Sequence, residues 1–328
     1  MARRLILELK DGDNVDETFL VADRQLRANR NAALYLNVDL RDKSGVINGR
    51  MWNVSEESVA HIQAGQYVRV RGKVQLFQGV LQLILTGAHP IDAATIDPLD
   101  FLPETTANIE QLMSRLREHL LKIESVPLRT LCECCLLDEE LMEKYAKAPA
   151  GIKAHHAYHG GLLEHVVTLM DLARKVVEVY PTLDADLLVS GVFWHDIGKI
   201  RELSYETSFA YTDEGQLIGH LQIGVEMLSE RIRETEQLSG ERFPEELSWR
   251  LKHLILSHHG SYEFGSPRLP MTPEAMALHL LDNLDAKLHE FMRAISEDPH
   301  GESHWTLFLP RLDRKLYKTP TDASKRLE

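Results

Sequence analysis

Eight consecutive uncharged residues, Leu187-Leu188-Val189-Ser190-Gly191-Val192-Phe193-Trp194, run straight into His195-Asp196 before Gly198 interrupts the pattern. A run of this kind packs centrally, so it carries an imidazole and a carboxylate inward side by side. Such a pair chelates one divalent cation, or bridges two, provided other ligands arrive from elsewhere in the fold. His165, His220, His258, His259 and Asp282 are available to supply them. A lone histidine is more often a polar core or surface residue than a ligand; here it is the set that points to a metal-dependent phosphoesterase core. His155, His156, His159 and His165 put four imidazoles within eleven residues. Gly160-Gly161 leaves the backbone free to turn into a helix, with His165 one turn inside it.

The 328 residues, 44% of them hydrophobic, suffice for two globular cores. No apolar stretch approaches membrane-spanning length, and Glu8 and Lys10 come too soon after Arg3-Arg4 for a secretory leader. The only cysteines, Cys132, Cys134 and Cys135, are crowded and odd in number. They imply no disulfide framework and read as small hydrophobes, and a cytoplasmic location is expected. The net charge of -13 argues against nucleic acid, but its distribution does not. Residues 1–90 hold 12 Lys/Arg against 10 Asp/Glu, with Arg24, Arg27, Arg30, Arg69, Arg71 and Lys73 among them.

That first segment has the period of strands. Leu34, Leu36, Val38 and Leu40 alternate with Tyr35, Asn37, Asp39 and Arg41, and Asp42-Lys43-Ser44-Gly45 turns the chain toward Val46–Asn53. Tyr67–Val74 alternates again with a basic polar face, and Gln78-Gly79 marks a hairpin into Val80–Leu85. About five short strands, one holding a glycine that permits sharp coiling, predict a small closed barrel over 1–90. Residues 91–104 read as a linker, and 105–328 as an all-α domain. Ile109, Leu112, Met113, Leu116 and Leu120 recur at helical spacing, with Thr105 or Thr106 as cap. Further helices are expected at 161–180, 185–196, 217–236, 245–258 and 273–297.

Leu34–Gly45 followed by Gly49-Arg50-Met51-Trp52 resembles the OB-fold of the tRNA-anticodon-binding type, in which basic side chains and stacked aromatics hold single-stranded nucleic acid. That resemblance implies a binding role for Tyr35, Arg41, Trp52, Arg69, Arg71 and Lys73, with Tyr67 and Phe77 as further stacking candidates. The alternative for each aromatic is barrel core.

His165, His195-Asp196 and Asp282 resemble the H…HD…D signature of the HD superfamily of phosphohydrolases. The fuller set of segments is more specific. His155–His165, Gly215–His220, Ile255–Gly260, Glu263–Pro267 and Leu278–Lys287 resemble the YhaM-type 3′→5′ exoribonucleases, which also place an OB-type domain ahead of the HD domain. The resemblance implies two divalent cations, Mn²⁺ first with Fe²⁺ or Co²⁺ as alternatives. One would be held by His165, His195, Asp196 and Asp282. Asp196 would bridge to a second held by His220 and His258, leaving His259 to meet the phosphate. Gly161 stands where some HD relatives carry a glutamate, which weakens the case for a third ion.

On that basis the expected activity is 3′→5′ hydrolysis of single-stranded RNA, or of single-stranded DNA, releasing nucleoside 5′-monophosphates. Asp196, Lys199 and His259 are the expected catalytic residues. Lys199 lies one turn past His195, within reach of a phosphate oxygen, or else serves as a plain helix C-terminal cation. Two rival functions are an HD-type nucleotidohydrolase or cyclic-nucleotide phosphodiesterase, and a non-catalytic RNA-binding regulator. A basic barrel has no obvious task on a mononucleotide. Arg311, Arg314, Lys315 and Lys318 read as a solvated basic tail, the alternative being a phosphate track. Homo-oligomerisation is left open.

Overall fold

The computed structural model describes residues 3–28, 33–77, 80–152, 156–206, 209–296, 298 and 303–318. Arg30, His155 and the expected turn at Gln78-Gly79 lie outside the described residues. The chain divides into two compact units, one formed by Met1–Pro103 with Phe291–Glu328 and the other by Glu104–Glu290. The segment from Phe291 onward, which sequence periodicity assigns to the helical domain, therefore groups with the barrel.

In the first unit, β1 (Asn14–Ala28), β2 (Leu34–Asp42), β3 (Gly45–Trp52), β4 (Tyr67–Phe77) and β5 (Val80–Pro90) close into a barrel of order β1-β2-β3-β5-β4. Alternation decides which side chains turn inward. Leu36, Val38 and Leu40 of β2 join Phe19, Val21, Ile47, Val68, Val70 and Leu83 in one buried cluster, each worth about 1.5–3 kcal/mol relative to exposure. Closure requires bent strands. β1 pairs with β4 along its first half and with β2 along its second, and its register shifts between Val21 and Asp23. β4 shifts against β5 between Arg71 and Gly72. A Cβ on Gly72 would sit 2.4 Å from the Ile84 carbonyl oxygen, so the expected coiling glycine is required there. The Asp42–Gly45 turn is held by the buried Asp42 carboxylate, which accepts from the Ser44 amide at 2.8 Å and hydroxyl at 2.6 Å.

The second unit is helical: α1 (Ile109–Leu121), α2 (Val126–Leu136), α3 (Glu139–Lys147), α4 (Gly161–Val179), α5 (Ala185–Trp194), α6 (Lys199–Glu202), α7 (Asp213–Leu217), α8 (His220–Ser239), α9 (Glu245–Ser257) and α10 (Pro273–Ser296) as far as Glu290. A two-residue ribbon pairs β6 (Leu203–Ser204) with β7 (Ala210–Tyr211). Asn108, not Thr105 or Thr106, caps α1 by accepting from the Gln111 amide at 3.0 Å. The Thr105 hydroxyl instead bonds the Glu164 carboxylate. The helix expected over 217–236 begins at His220, because Gly219 adopts φ +79° and separates it from α7.

Residues Leu187–Trp194 of α5 are wholly buried, making it the central helix of this unit. Around it lie Leu116, Leu163, Val167, Leu254, Leu278 and the buried thiols Cys132 and Cys135. Among the described residues no helix is long and apolar enough to cross a membrane.

Candidate metal centre

The end of α5 delivers His195 and Asp196 into a site that four other helices help to complete. His165 comes from α4, His220 opens α8, His258 and His259 follow α9, and Asp282 lies on α10. His165, His195, Asp196 and His258 are buried, whereas His220, His259 and Asp282 are partly exposed.

Two groups of ligand atoms share Asp196. On the Oδ2 side, His195 Nε2 lies at 3.4 Å and His165 Nε2 at 3.9 Å, with Asp282 Oδ1 3.3 Å from His165 Nε2. On the Oδ1 side, His220 Nε2 and His258 Nε2 each lie at 3.6 Å, and His259 Nε2 is 3.2 Å from His220 Nε2. The six residues assigned to metal from the sequence therefore converge, and His259 joins them.

The outer partners decide what these imidazoles can offer. His195 Nδ1 donates to the Val192 carbonyl at 2.7 Å, His258 Nδ1 to that of Ile255 at 2.8 Å and His259 Nδ1 to that of Phe264 at 2.9 Å. His165 Nδ1 donates to Asp285 Oδ2 at 2.7 Å and His220 Nδ1 to Glu202 Oε1 at 2.9 Å. A carbonyl has no proton to give, and the two acids are held ionised, so each Nδ1 carries the hydrogen and Nε2 is the nitrogen left to face the centre. Two such nitrogens facing each other, as His220 and His259 do, repel unless positive charge lies between them.

Asp196 Oδ1 is the sharpest mark of a cation site. It is buried and has no hydrogen-bond partner, and lone pairs rather than protons face it. An orphaned buried carboxylate oxygen is costly, and a cation between it and the imidazoles removes the cost. The donor set of imidazole nitrogen and carboxylate oxygen fits a divalent transition metal.

The electrostatics agree. Burial alone would lower the His165 imidazole, but hydrogen bonding to Asp282 and Asp285 outweighs it and pushes the pKa up to about 9. Burial drives His258 down to about 3 against the pull of Asp196, keeping its lone pair free at neutral pH. Burial also opposes ionisation of Asp196, yet the Lys199 ammonium, 2.6 Å away, holds it well below the usual carboxylate range. Burial likewise resists ionisation of Asp285, Asp282 and Glu202, and their histidine partners hold each of them low.

The sequence misses Glu202 and Asp285. Glu202 accepts from both the His220 amide and its ring, so one carboxylate caps α8 and orients a ligand. Asp285 also accepts from His156 Nε2 at 2.9 Å. Its place one turn after Asp282 was the only available signal. Gly198 permits the assembly: a Cβ there would lie 2.1 Å from the His220 carbonyl oxygen.

The barrel residues fall on two pairs of strands joined across β5, where Lys73 and Arg50 both pair with Ile84. Tyr35 pairs across β2–β3 with Trp52, their rings 4.9 Å apart, and Arg41 points outward farther along β2. Arg50, absent from the expected set, stands opposite Asn37 on the same surface. Arg69, Arg71 and Lys73 lie on β4, whose neighbours are β1 and β5, and Arg69 and Arg71 both bond Asp16, at 2.7 and 3.1 Å. Tyr67 packs on Phe101 at 4.8 Å rather than standing free as a stacking ring.

A family model described as an OB-fold nucleic acid binding domain matches residues 20–91, and one described as an HD domain matches residues 162–287. The 3'-5' exoribonuclease YhaM of Geobacillus sp. (strain WCH70) is 35% identical over 300 residues, covering 90% of both chains. That of Bacillus subtilis (strain 168) is 33% identical over 322 residues, covering 98% of this chain and 99% of its own. The chain belongs to the YhaM family. The corresponding protein of Listeria monocytogenes serovar 1/2a is 32% identical over 98% of this chain. Membership of the YhaM family brings an OB-fold that binds nucleic acid and an HD domain that implies a divalent metal, which the His/Asp clusters could hold.

Proposed function

We propose that this chain is a metal-dependent 3′→5′ exoribonuclease of the cytoplasm that hydrolyses single-stranded RNA and releases nucleoside 5′-monophosphates. The observation that carries this reading is the orphaned Asp196 Oδ1, ringed by proton-free Nε2 atoms in a chain whose barrel also bears an outward Tyr35–Trp52 ring pair. Full-length similarity to the YhaM exoribonucleases supports it.

His165, His195, Asp282 and Asp196 Oδ2 would hold one ion; His220, His258, His259 and Asp196 Oδ1 would hold a second, Mn²⁺ being favoured by the mixed donor set. Bound there, divalent ions supply activation of water and neutralisation of phosphoryl charge. The chain's own residues do the rest. Val192, Ile255 and Phe264 carbonyls and the Glu202 and Asp285 carboxylates fix ring orientation, so that no reorganisation is needed when substrate arrives. Lys199, paired with Asp196, becomes available to a non-bridging phosphate oxygen once cationic charge satisfies that carboxylate. His259, on the partly exposed side, would hold that second ion where an incoming phosphate could meet it. Tyr262 and Phe264, both exposed on the turn after His259, offer rings to the terminal base. The barrel grips the strand upstream through stacking and backbone charge, without sequence preference.

The decisive experiment follows the Mn²⁺-loaded protein on RNA labelled at the 5′ end or the 3′ end. Immediate release of the 3′ label as mononucleotide, with gradual shortening of the 5′-labelled strand, is expected, and D196N should abolish both. Internal cleavage, or normal turnover by D196N, would refute the assignment.

A further inference from the structure

Residues 303–318, which neither family model reaches, are folded rather than a loose basic tail. The Thr306 amide donates to the Leu316 carbonyl at 2.9 Å, the Lys318 amide to that of His304 at 2.7 Å and the Leu309 amide to that of Arg314 at 2.9 Å. Trp305 bridges Tyr317, and Leu309 bridges Arg314, as antiparallel partners, with Asp313 at φ +51° turning the tip. This is a short β-hairpin in the same compact unit as the barrel.

Its two sides differ. Thr306 and Leu316 are buried, which by strand alternation sends Trp305, Leu307, Lys315 and Tyr317 outward together. Trp305 and Tyr317 are each 51% exposed, their rings 5.2 Å apart and nearly perpendicular. Large rings left half in water need a reason, since burying either would contribute about 1.5–3 kcal/mol. The charge around them supplies one. Within a chain of net charge -13, residues 303–318 hold Arg311, Arg314, Lys315 and Lys318 against Asp313, and although Lys318 pairs with Asp298 at 2.6 Å, Arg314 and Lys315 are exposed beside the rings. Exposed aromatic faces flanked by cations match the chemistry of single-stranded nucleic acid, with bases on the rings and phosphates on the basic side chains. Tyr35 and Trp52 on the barrel use the same cross-strand device.

We propose that the 303–318 hairpin is a second single-stranded RNA contact, in which Trp305 and Tyr317 stack on bases and Arg314 and Lys315 meet phosphates. As an RNA platform it rests on the exoribonuclease reading above.

The test uses the full Mn²⁺-loaded chain and a 12-nucleotide oligouridylate, fluorescent at its 5′ end and protected by phosphorothioate linkages at its 3′ end. W305A/Y317A should weaken binding roughly 5- to 150-fold, the range for losing one stacked base. W305F, which keeps a ring, should restore most of it, and K315A should lower the dependence of log Kd on log salt by about 0.7. Unchanged Kd in W305A/Y317A, while the wild type binds and degrades RNA, would overturn the hairpin proposal and leave the exoribonuclease reading intact. A wild type that neither binds nor shortens RNA would remove the exoribonuclease reading and the hairpin proposal with it. Unchanged RNA affinity with loss of self-association in sedimentation would assign the hairpin to a contact between copies, and would also overturn the proposal.

Discussion

His165 and Asp285 are joined by an Nδ1–H···Oδ2 hydrogen bond of 2.7 Å, and this bond turns the opposite ring nitrogen onto Asp282 and Asp196. Asp285 does not reach the centre through His165's metal-facing nitrogen; it acts from behind the ring. D285N keeps an acceptor but loses the charge, whereas D285A loses both. Metal affinity, read by competition with a chromophoric chelator, should fall about 10- to 100-fold in D285A and less in D285N. Equal affinity in all three proteins would show that the ring is oriented without Asp285.

Acidity at the same histidine sets a pH dependence. Its pKa is raised in the folded chain from 6.5 to about 9, burial opposing and the two aspartates prevailing. In the metal-free protein the resulting stability is fully present below pH 6.5 and is lost as pH rises through about 9. A cation at Nε2 must displace that proton. Apparent metal affinity should thus climb roughly tenfold per pH unit up to about pH 9 for one proton released. Calorimetry in buffers of different ionisation enthalpy counts the proton, and a flat affinity between pH 6.5 and 9 would contradict the scheme.

On the barrel, W52A should weaken oligouridylate binding roughly 5- to 150-fold, because it removes one ring of the exposed Tyr35–Trp52 pair. R71A should change affinity less than about twofold, since Arg71 already shares Asp16 with Arg69. Fluorescence anisotropy on both variants decides it, and the reverse ranking would move the RNA face to β4.

The thiols provide a packing probe. Burial pushes the Cys132 thiol up to about 12 and raises Cys135 well above its ordinary value. At pH 8 roughly one Cys132 in ten thousand is thiolate. An aromatic disulfide reagent should therefore label only the half-buried Cys134 quickly in the native chain, and all three cysteines after unfolding. Rapid reaction of three thiols in the native protein would mean that the core around α2 is open.

The candidate centre was legible wherever a side chain able to ligate a metal carries its own signature. His165, His195-Asp196, His220, His258 and Asp282 stand out by type and spacing, and all converge. What lay behind them was not legible. The Val192, Ile255 and Phe264 carbonyls exist in any sequence, and only the path of the backbone aims them at an imidazole. Asp285 on α10 has the appearance of one more solvated helix acid. Strand alternation separated the two sides of β2 and β4 without saying which faced outward or which strands adjoin, and closure in the order β1-β2-β3-β5-β4 sets β5 between the basic residues of β4 and Trp52 on β3. The 303–318 hairpin escaped because its strands are too short to show a period.

Gly198 sets the spacing across the candidate centre. The backbone just past Asp196 touches the first turn of α8 where a methyl group would stand, 2.1 Å from the His220 carbonyl and 2.8 Å from the Gly224 amide nitrogen. The gap between the two halves of the centre is therefore gauged by a missing carbon. Even alanine at this position would wedge His220 away from the carboxylate it faces, so the residue with no side chain holds the two halves together.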